Sequence, residues 1–395
     1  MSLQTDIFSS RLAKHYSHFD VENRLLFTGH SHQAWPDVAL KGLIEAFDVA
    51  ALKVDTKWDV VFEKIDVMRD YLKRYYDDPY GKYTHAENTH NLIVRWLSAL
   101  DLKKKPKIIA TDSEFYSLFR QLVRLKEENV QVEFIPALPP SGCADRIKES
   151  LDENTSAVFV SRVYFETGLI NNELKEIAEV CRSFGVPLMI DDYHGTNVVP
   201  ISIRDMGLED CFILIGGYKY LQWGEGNCFL RYPENCPLRP IITGWFASFS
   251  TLKSPRNNGM VQYDDGDMLF SGATFDGTSA FRGAAVVDFF KSQNMSPKLL
   301  NKLYTEQTAY FKRLFIQKQF DTQTITLAHQ YPITENGGFI SLKTPKAGMY
   351  YDELKNKGVL TDYRGDIIRF GMAPYLISKQ VESALDILEE VIQSV

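Results

Sequence analysis

Through the middle of the chain, short apolar runs alternate with segments whose apolar positions recur every three or four residues. The runs KIIA (107–110), 132–135, AVFVS (157–161), VPLMI (186–190) and CFILI (211–215) predict strands. They are continuous and apolar, and too short for helices. Residues 119–127, 144–151 and 172–184 predict the intervening helices, the last with Leu174, Ile177, Ala178 and Cys181 on one face. Gly185 stops that helix, and Pro187 cannot continue it. Buried strands separated by amphipathic helices imply a mainly parallel sheet covered on both faces.

The last third changes character. Residues 299–317 predict a long helix, and GFISL (338–342) and 367–370 predict strands. Residues 380–395 predict a closing helix with Val381, Ala384, Leu385, Leu388 and Ile392 on one face. The expected architecture is α/β: an N-terminal segment (1–45), a large domain (46–290) and a smaller C-terminal α+β domain (291–395).

Composition narrows the partners. Of 395 residues, 45% are hydrophobic and 24% charged, which is ordinary for a soluble globular protein. A net charge of −7 offers no general field for nucleic acid or an anionic membrane, although a local basic pocket stays open. No apolar stretch is long enough to cross a bilayer, and MSLQTDIFSSRLAKHY lacks a signal-peptide core. Cys143, Cys181, Cys211, Cys228 and Cys236 form no CxxC pair, so reduced thiols and a cytoplasmic location are expected. The histidines show no HExxH or comparable spacing, so no metal site is expected; His30 and His32 read as lining a pocket or a turn.

The informative stretch begins MIDDYHGTNVVPISI and closes LIGGYKYLQWGEGNCFL. One apolar strand ends in Asp191, with His194 just beyond; a second leads into Gly216, Gly217, Tyr218 and Lys219. In an open α/β sheet, ligands bind outside the carboxyl ends of the strands, where all of these residues fall. Taken singly, such a lysine is usually solvated, such an aspartate a turn former and such a histidine structural. Together they supply what pyridoxal phosphate (PLP) requires. Lys219 provides an amine for a Schiff base, and Asp191 a carboxylate for the pyridine nitrogen. Asp192 is the fallback for that nitrogen. The two glycines are expected to let the backbone turn tightly near the ligand.

This segment resembles the cofactor-binding core of kynureninase and the wider class V aminotransferases, which implies the PLP-transferase fold type I. Asp191 and His194 match the family's D-x-x-H, and Tyr218-Lys219-Tyr220-Leu221 its Y-K-Y-L; Gly217 replaces the family serine. The LFTGHSHQAWPD stretch (26–37) lies where the family has an N-terminal loop, with His30 in place of asparagine. Asn88 and Thr89 resemble a phosphate loop at a helix start, where backbone N–H groups favour an anion; a plain helix cap is the competing reading. Phe115 matches the aromatic that stacks on the pyridine ring. Ser161 falls near the cofactor's phenolic oxygen or phosphate. Trp245 and Thr278 match residues that reach the phosphate, the second across a dimer interface. In TDYRGDIIRFGMAPYL, Arg369 matches the residue that grips the substrate α-carboxylate, and Arg364 is a second cation nearby.

The resemblance covers roughly residues 20–380. It implies a homodimer with a shared active site and a small amino-acid substrate. The reaction it implies first is hydrolytic Cβ–Cγ cleavage of kynurenine to alanine and anthranilate. Lys219 would move the α-proton, Asp191 would hold the ring proton, and Tyr218 would assist protonation. His30 and Ser279 would help line the substrate pocket, with Ser279 shorter than the family's asparagine or threonine. A class V aminotransferase acting on another amino acid is the alternative, and a catalytically inactive PLP-fold binding protein the third reading. Cysteine desulfurase is disfavoured because no cysteine follows Cys236.

Overall fold

The structure is a computed structural model that describes residues 1–251, 255 and 259–394. Helix α1 (Leu3–Ala13), strand β1 (Leu25–Leu26) and helices α2 (Val38–Lys53) and α3 (Lys57–Tyr75) lead into β2 (Lys82–Ala86) and α4 (Thr89–Leu97). The alternation read from the sequence follows: β3 (Lys107–Thr111), α5 (Tyr116–Glu127), β4 (Gln131–Ile135), α6 (Cys143–Ser150), β5 (Thr155–Ser161), α7 (Leu174–Ser183), β6 (Leu188–Asp191), α8 (Ile203–Met206), β7 (Phe212–Gly216) and β8 (Cys228–Tyr232). After α9 (Thr278–Ser292) and α10 (Pro297–Gln317) come β9 (Thr326–Leu327), β10 (Phe339–Lys343), α11 (Ala347–Asn356), β11 (Val359–Leu360), β12 (Asp362–Arg364), β13 (Ile367–Gly371) and α12 (Ser378–Ser394).

The large sheet has seven strands in the order β2-β8-β7-β6-β5-β3-β4. Only β8 runs against its neighbours, so the sheet is mainly parallel, as expected. Alternate residues of β5 serve two cores. Val158 and Val160 join α7 and α9 on one face, while Ala157 and Phe159 join α4 and α5 on the other. This is the period of two that a doubly covered strand requires. Emptying one such position, as in Phe159→Ala, costs about 3–5 kcal/mol.

Strands β2 and β8 carry little sequence signal. KYTHA is mostly polar, and CFLRY buries Arg231. That arginine is tolerated because Asp78 takes Nε at 2.8 Å in the same buried pocket. Helix α9 is buried on nearly every side between α2 and α3, so it shows no amphipathic stripe.

The smaller sheet is antiparallel in the order β12-β13-β10-β9. The N-terminal segment hydrogen-bonds into this unit. β1 pairs with β11, Phe27 N–H donates to Leu360 O at 2.8 Å, and Gly371 N–H donates to Phe27 O at 2.7 Å. That pairing carries His30 from the start of the chain to the face of β10 and β13. Among the described residues, no helix is long and apolar enough to cross a membrane.

Candidate active site

β5 and β6 end side by side, with Ser161 opposite Asp191 in register. The next strand, β7, ends at Gly216 and passes into the Lys219 turn. A Cβ at Gly216 would lie 1.7 Å from the Tyr193 ring, and one at Gly217 would lie 2.3 Å from Asn227 O. Neither glycine is at a positive φ. The expected role in turning the chain is therefore corrected: these glycines admit close packing. A serine Cβ at 217 would meet backbone at Asn227.

Lys219 is buried, with Nζ 2.6 Å from His194 Nε2. Nζ also lies 4.6 Å from the centre of the Tyr193 ring and 5.4 Å from that of Phe115. Burial lowers the Lys219 pKa to about 7, with Asp191 opposing the shift and Arg369 adding to it. Burial, then the charges of Lys219 and Arg369, push the His194 pKa well below the ordinary imidazole range. Burial also raises Asp191 to about 6, against the Tyr193 N–H that donates to its Oδ1 at 2.9 Å. Asp192 faces elsewhere. It pairs with buried Arg162 at 3.0 Å and accepts from Tyr76 Oη at 2.6 Å, so its carboxylate is committed to the core. The fallback assignment to Asp192 is thereby removed.

The cap reading and the phosphate-loop reading of Asn88 and Thr89 are compatible. Asn88 Oδ1 caps α4 by accepting from Asn91 N at 2.8 Å, and Thr89 opens the helix. The buried Cys228 thiol lies between the backbone N–H groups of Thr89 and Gly217, so the start of α4 adjoins the Lys219 turn. Phe115 caps α5 and meets Phe165 edge-on at 5.5 Å. Tyr218 is partly exposed and stacks on His32 at 4.7 Å.

Ser161 ends β5 beside Asp191 and is tied to Glu114. Its hydroxyl donates to Glu114 Oε2 at 2.8 Å, and its N–H donates to Glu114 Oε1 at 2.9 Å. Thr111 Oγ1 donates to the same Glu114 carboxyl at 2.6 Å, which ties the ends of β3 and β5 together. Burial, reinforced by Asp191, pushes Glu114 up to about 7.

Arg369 is buried and already paired. Its Nε and Nη2 donate to Asp362 at 2.8 and 2.5 Å, and Nη1 donates to Phe165 O at 2.5 Å. A guanidinium has five N–H bonds and these contacts use three, which leaves one on each terminal nitrogen for a ligand. His30 is also buried, donating from Nε2 to Asp362 Oδ1 at 2.8 Å and stacking on Phe339 at 4.8 Å. Arg364 is exposed, with Nη2 3.8 Å from Asp362.

Three expected residues are not drawn into this cluster among the described residues. Trp245 is 39% exposed and stacks on Phe246 at 4.1 Å. Ser279 spends its hydroxyl on Gly226 O at 3.1 Å and Asp276 O at 3.3 Å, so its expected place in the substrate pocket is not reproduced. Thr278 begins α9, and its N–H donates to Asp276.

Sequence reasoning missed Glu114, Tyr193, Phe165 and Asp362. A signal existed for Asp362: Gly365 closes a hairpin that sets Asp362 opposite Arg369.

The donor set fits PLP. It contains a buried amine of lowered pKa, an acid at the adjacent strand end, an aromatic ring near the amine and a helix N-terminus beside the turn. Among the described residues, no cluster of histidine, cysteine and acidic side chains could hold a metal ion.

Comparison with known proteins agrees. Residues 84–222 match the family model described as aminotransferase class-V, and residues 302–388 match that described as kynureninase C-terminal domain. The kynureninase of Pseudomonas fluorescens is 24% identical over 63% of this chain and 59% of that protein. The cysteine desulfurase IscS of Rickettsia bellii is 30% identical over 40% of this chain and 38% of that protein. Each match thus spans less than two thirds of the relative's length. Among solved structures, a C-DES mutant with glycine covalently linked to its PLP cofactor has a TM-score of 0.81 at 16% identity, covering 96% of this chain and 98% of that one. A cysteine desulfurase from Thermococcus onnurineus NA1 has a TM-score of 0.79 at 14% identity, covering 98% of each chain. At these identities the structural likeness shows the fold. The chain is kynureninase-like and carries the class V aminotransferase form of the PLP-transferase type I fold.

Proposed function

We propose that the chain is a PLP-dependent enzyme of amino acids and that its reaction is the hydrolytic Cβ–Cγ cleavage of a kynurenine-type substrate. The observation that carries the choice is the kynureninase C-terminal match over 302–388, which contains Arg369 and its partner Asp362. In this reading residues 46–290 supply the cofactor side and residues 291–395 the carboxylate side. When bound, PLP supplies an electron sink for charge developed at the substrate α-carbon.

The chain's own groups do the rest. Lys219 would hold the cofactor, and its amine, which burial brings to a pKa of about 7, would take the α-proton. Asp191 would hold a proton on the ring nitrogen, and Phe115 would cover the ring. The start of α4 at Asn88 and Thr89 would hold the phosphate. His194 contacts Lys219 directly and is neutral, so it can accept a hydrogen bond from the lysine and orient its amine. Arg369 binds the α-carboxylate through its two open N–H bonds. Tyr218 would return a proton to the β-carbon. Water's hydroxyl goes to the γ-carbon and a proton to the β-carbon, so the products are alanine and an anthranilate.

The expected homodimer belongs to the same reading. Helix α2 leaves Leu40, Ile44 and Phe47 exposed at helical spacing, an apolar stripe that a second copy would cover. Trp245 and Thr278 would then serve the neighbouring subunit.

The class V aminotransferase is the second reading, favoured by the match over 84–222. A desulfurase is disfavoured by the thiols. Burial pushes Cys181 up to about 12 and Cys228 and Cys236 to about 11, and it raises Cys143 and Cys211 as well. None is poised as a thiolate.

The test is a panel of amino acids mixed with the holoprotein, followed by product analysis. Alanine with anthranilate from kynurenine, or with its hydroxylated form from 3-hydroxykynurenine, is the expected result. A keto acid with a pyridoxamine spectrum would replace the reading with transamination. Sulfide from cysteine would replace it with desulfuration.

A further inference from the structure

Asp362 and Arg369 stand opposite one another across the β12–β13 hairpin. The contact is edge-on. Asp362 Oδ1 takes Nε and Oδ2 takes Nη2, so the carboxylate and guanidinium planes are locked together. Asp362 Oδ1 also accepts from His30 Nε2 at 2.8 Å. His30 is completely buried and comes from the other end of the chain. Phe165 O takes a third guanidinium hydrogen, from the Nη1 side. Three segments therefore fix one side chain.

We propose that Asp362 is a positioning residue that sets the orientation of Arg369 in the carboxylate subsite and keeps its two open N–H bonds available for ligand. The inference rests on the reading of Arg369 given above. Because Asp362 consumes the Nε edge, a ligand carboxylate meets only the terminal nitrogens, in one orientation. The opposite possibility is that Asp362 competes with the ligand and swings away. Its second bond, to His30, argues against that. Releasing Asp362 would strip a buried histidine of its Nε2 partner and leave a charge unpaired. Burial opposes ionisation of Asp362, yet His30 and Arg369 hold its pKa well below the ordinary carboxylate range, so it is an anion at neutral pH.

The test compares two ligands that differ only at the carboxyl group, alanine and alaninamide. Each is titrated into holoprotein while the visible cofactor band is followed. Native protein is expected to prefer alanine. Asp362→Ala should weaken alanine binding by roughly tenfold or more through loss of a charge-assisted pair, and leave alaninamide within about twofold. The resting band should keep its position, which places the effect at the carboxylate and not at the cofactor. Asp362→Asn has the same shape and one remaining acceptor, and should fall between the two. It also keeps the test valid should the alanine variant fail to fold. Tighter alanine binding in either variant would identify Asp362 as a competitor and overturn the proposal. Equal discrimination in native and variant proteins would overturn it too. If native protein itself binds the two ligands alike, Arg369 does not read the carboxylate, and the underlying assignment falls separately.

Discussion

Lys219 Nζ lies 2.6 Å from His194 Nε2, and both side chains are buried. Burial lowers the Lys219 pKa to about 7, and His194 titrates far lower, so at neutral pH the pair shares at most one proton. Below pH 7 that proton sits on Lys219 and blocks its lone pair; above pH 7 the amine is free. Apoprotein mixed with PLP should therefore develop its visible band faster as pH rises, with a midpoint near 7. A rate still climbing steeply through pH 9 would show an ordinary lysine. Lys219→Ala should lose the band altogether while keeping the melting temperature of the native apoprotein. A retained band would place the attachment elsewhere.

The neighbouring acids should separate cleanly. Asp191→Ala is expected to keep a visible cofactor band and lose turnover by about 100-fold or more, since the ring proton has lost its partner. Asp192→Ala should act on stability instead. It leaves Arg162, 3% exposed, without its carboxylate, at a cost of about 3–5 kcal/mol. Denaturant titration of both variants decides the matter. A fully stable Asp192→Ala, or an active Asp191→Ala, would reverse the two roles.

Gly217→Ser restores the residue of the resembled family but places a Cβ 2.3 Å from Asn227 O. The neighbour is backbone and cannot rotate aside. The variant should lose about 1–3 kcal/mol by overpacking and bind PLP more slowly. Thermal unfolding and band formation measure the two effects. A serine variant as stable as the native chain would show that the backbone at Asn227 yields.

Sedimentation should give twice the chain mass at micromolar concentration, with Ile44 and Phe47 in the contact. They are 54% and 75% exposed in the single chain. Phe47→Glu puts a charge into that contact and should shift the protein toward monomer and lower turnover with it. A fully active monomer would remove the roles given to Thr278 and Trp245.

Much of this molecule is legible in one dimension. The short apolar runs of β3, β5, β6 and β7 have no place but the interior of a covered sheet, and their spacing leaves room for helices between them. That places Ser161, Asp191 and Lys219 at the same edge, because parallel strands all present their carboxyl ends on one side. The chemistry of Lys219 follows from its place after such a strand. Strands β2 and β8 escaped notice because their polar members are satisfied by distant partners. Arg231 reads as surface until Asp78 is seen beside it.

The sequence by itself determined the alternation of elements, the strand ends and the order in which amine, acid and arginine appear. Only the tertiary structure decided their ionisation and their partners. It assigned Asp191 to the pocket and Asp192 to the core, although they are adjacent, because side chains alternate across a strand end and Arg162 waits on one side only. It brought His30 to Asp362 through the β1–β11 pairing, a contact between residues 332 positions apart. It lowered the pKa of Lys219 by enclosing it, and burial is a property of everything packed around a residue. No local pattern records how many neighbours a side chain will meet, so the identities of the reacting groups were legible and their charges were not.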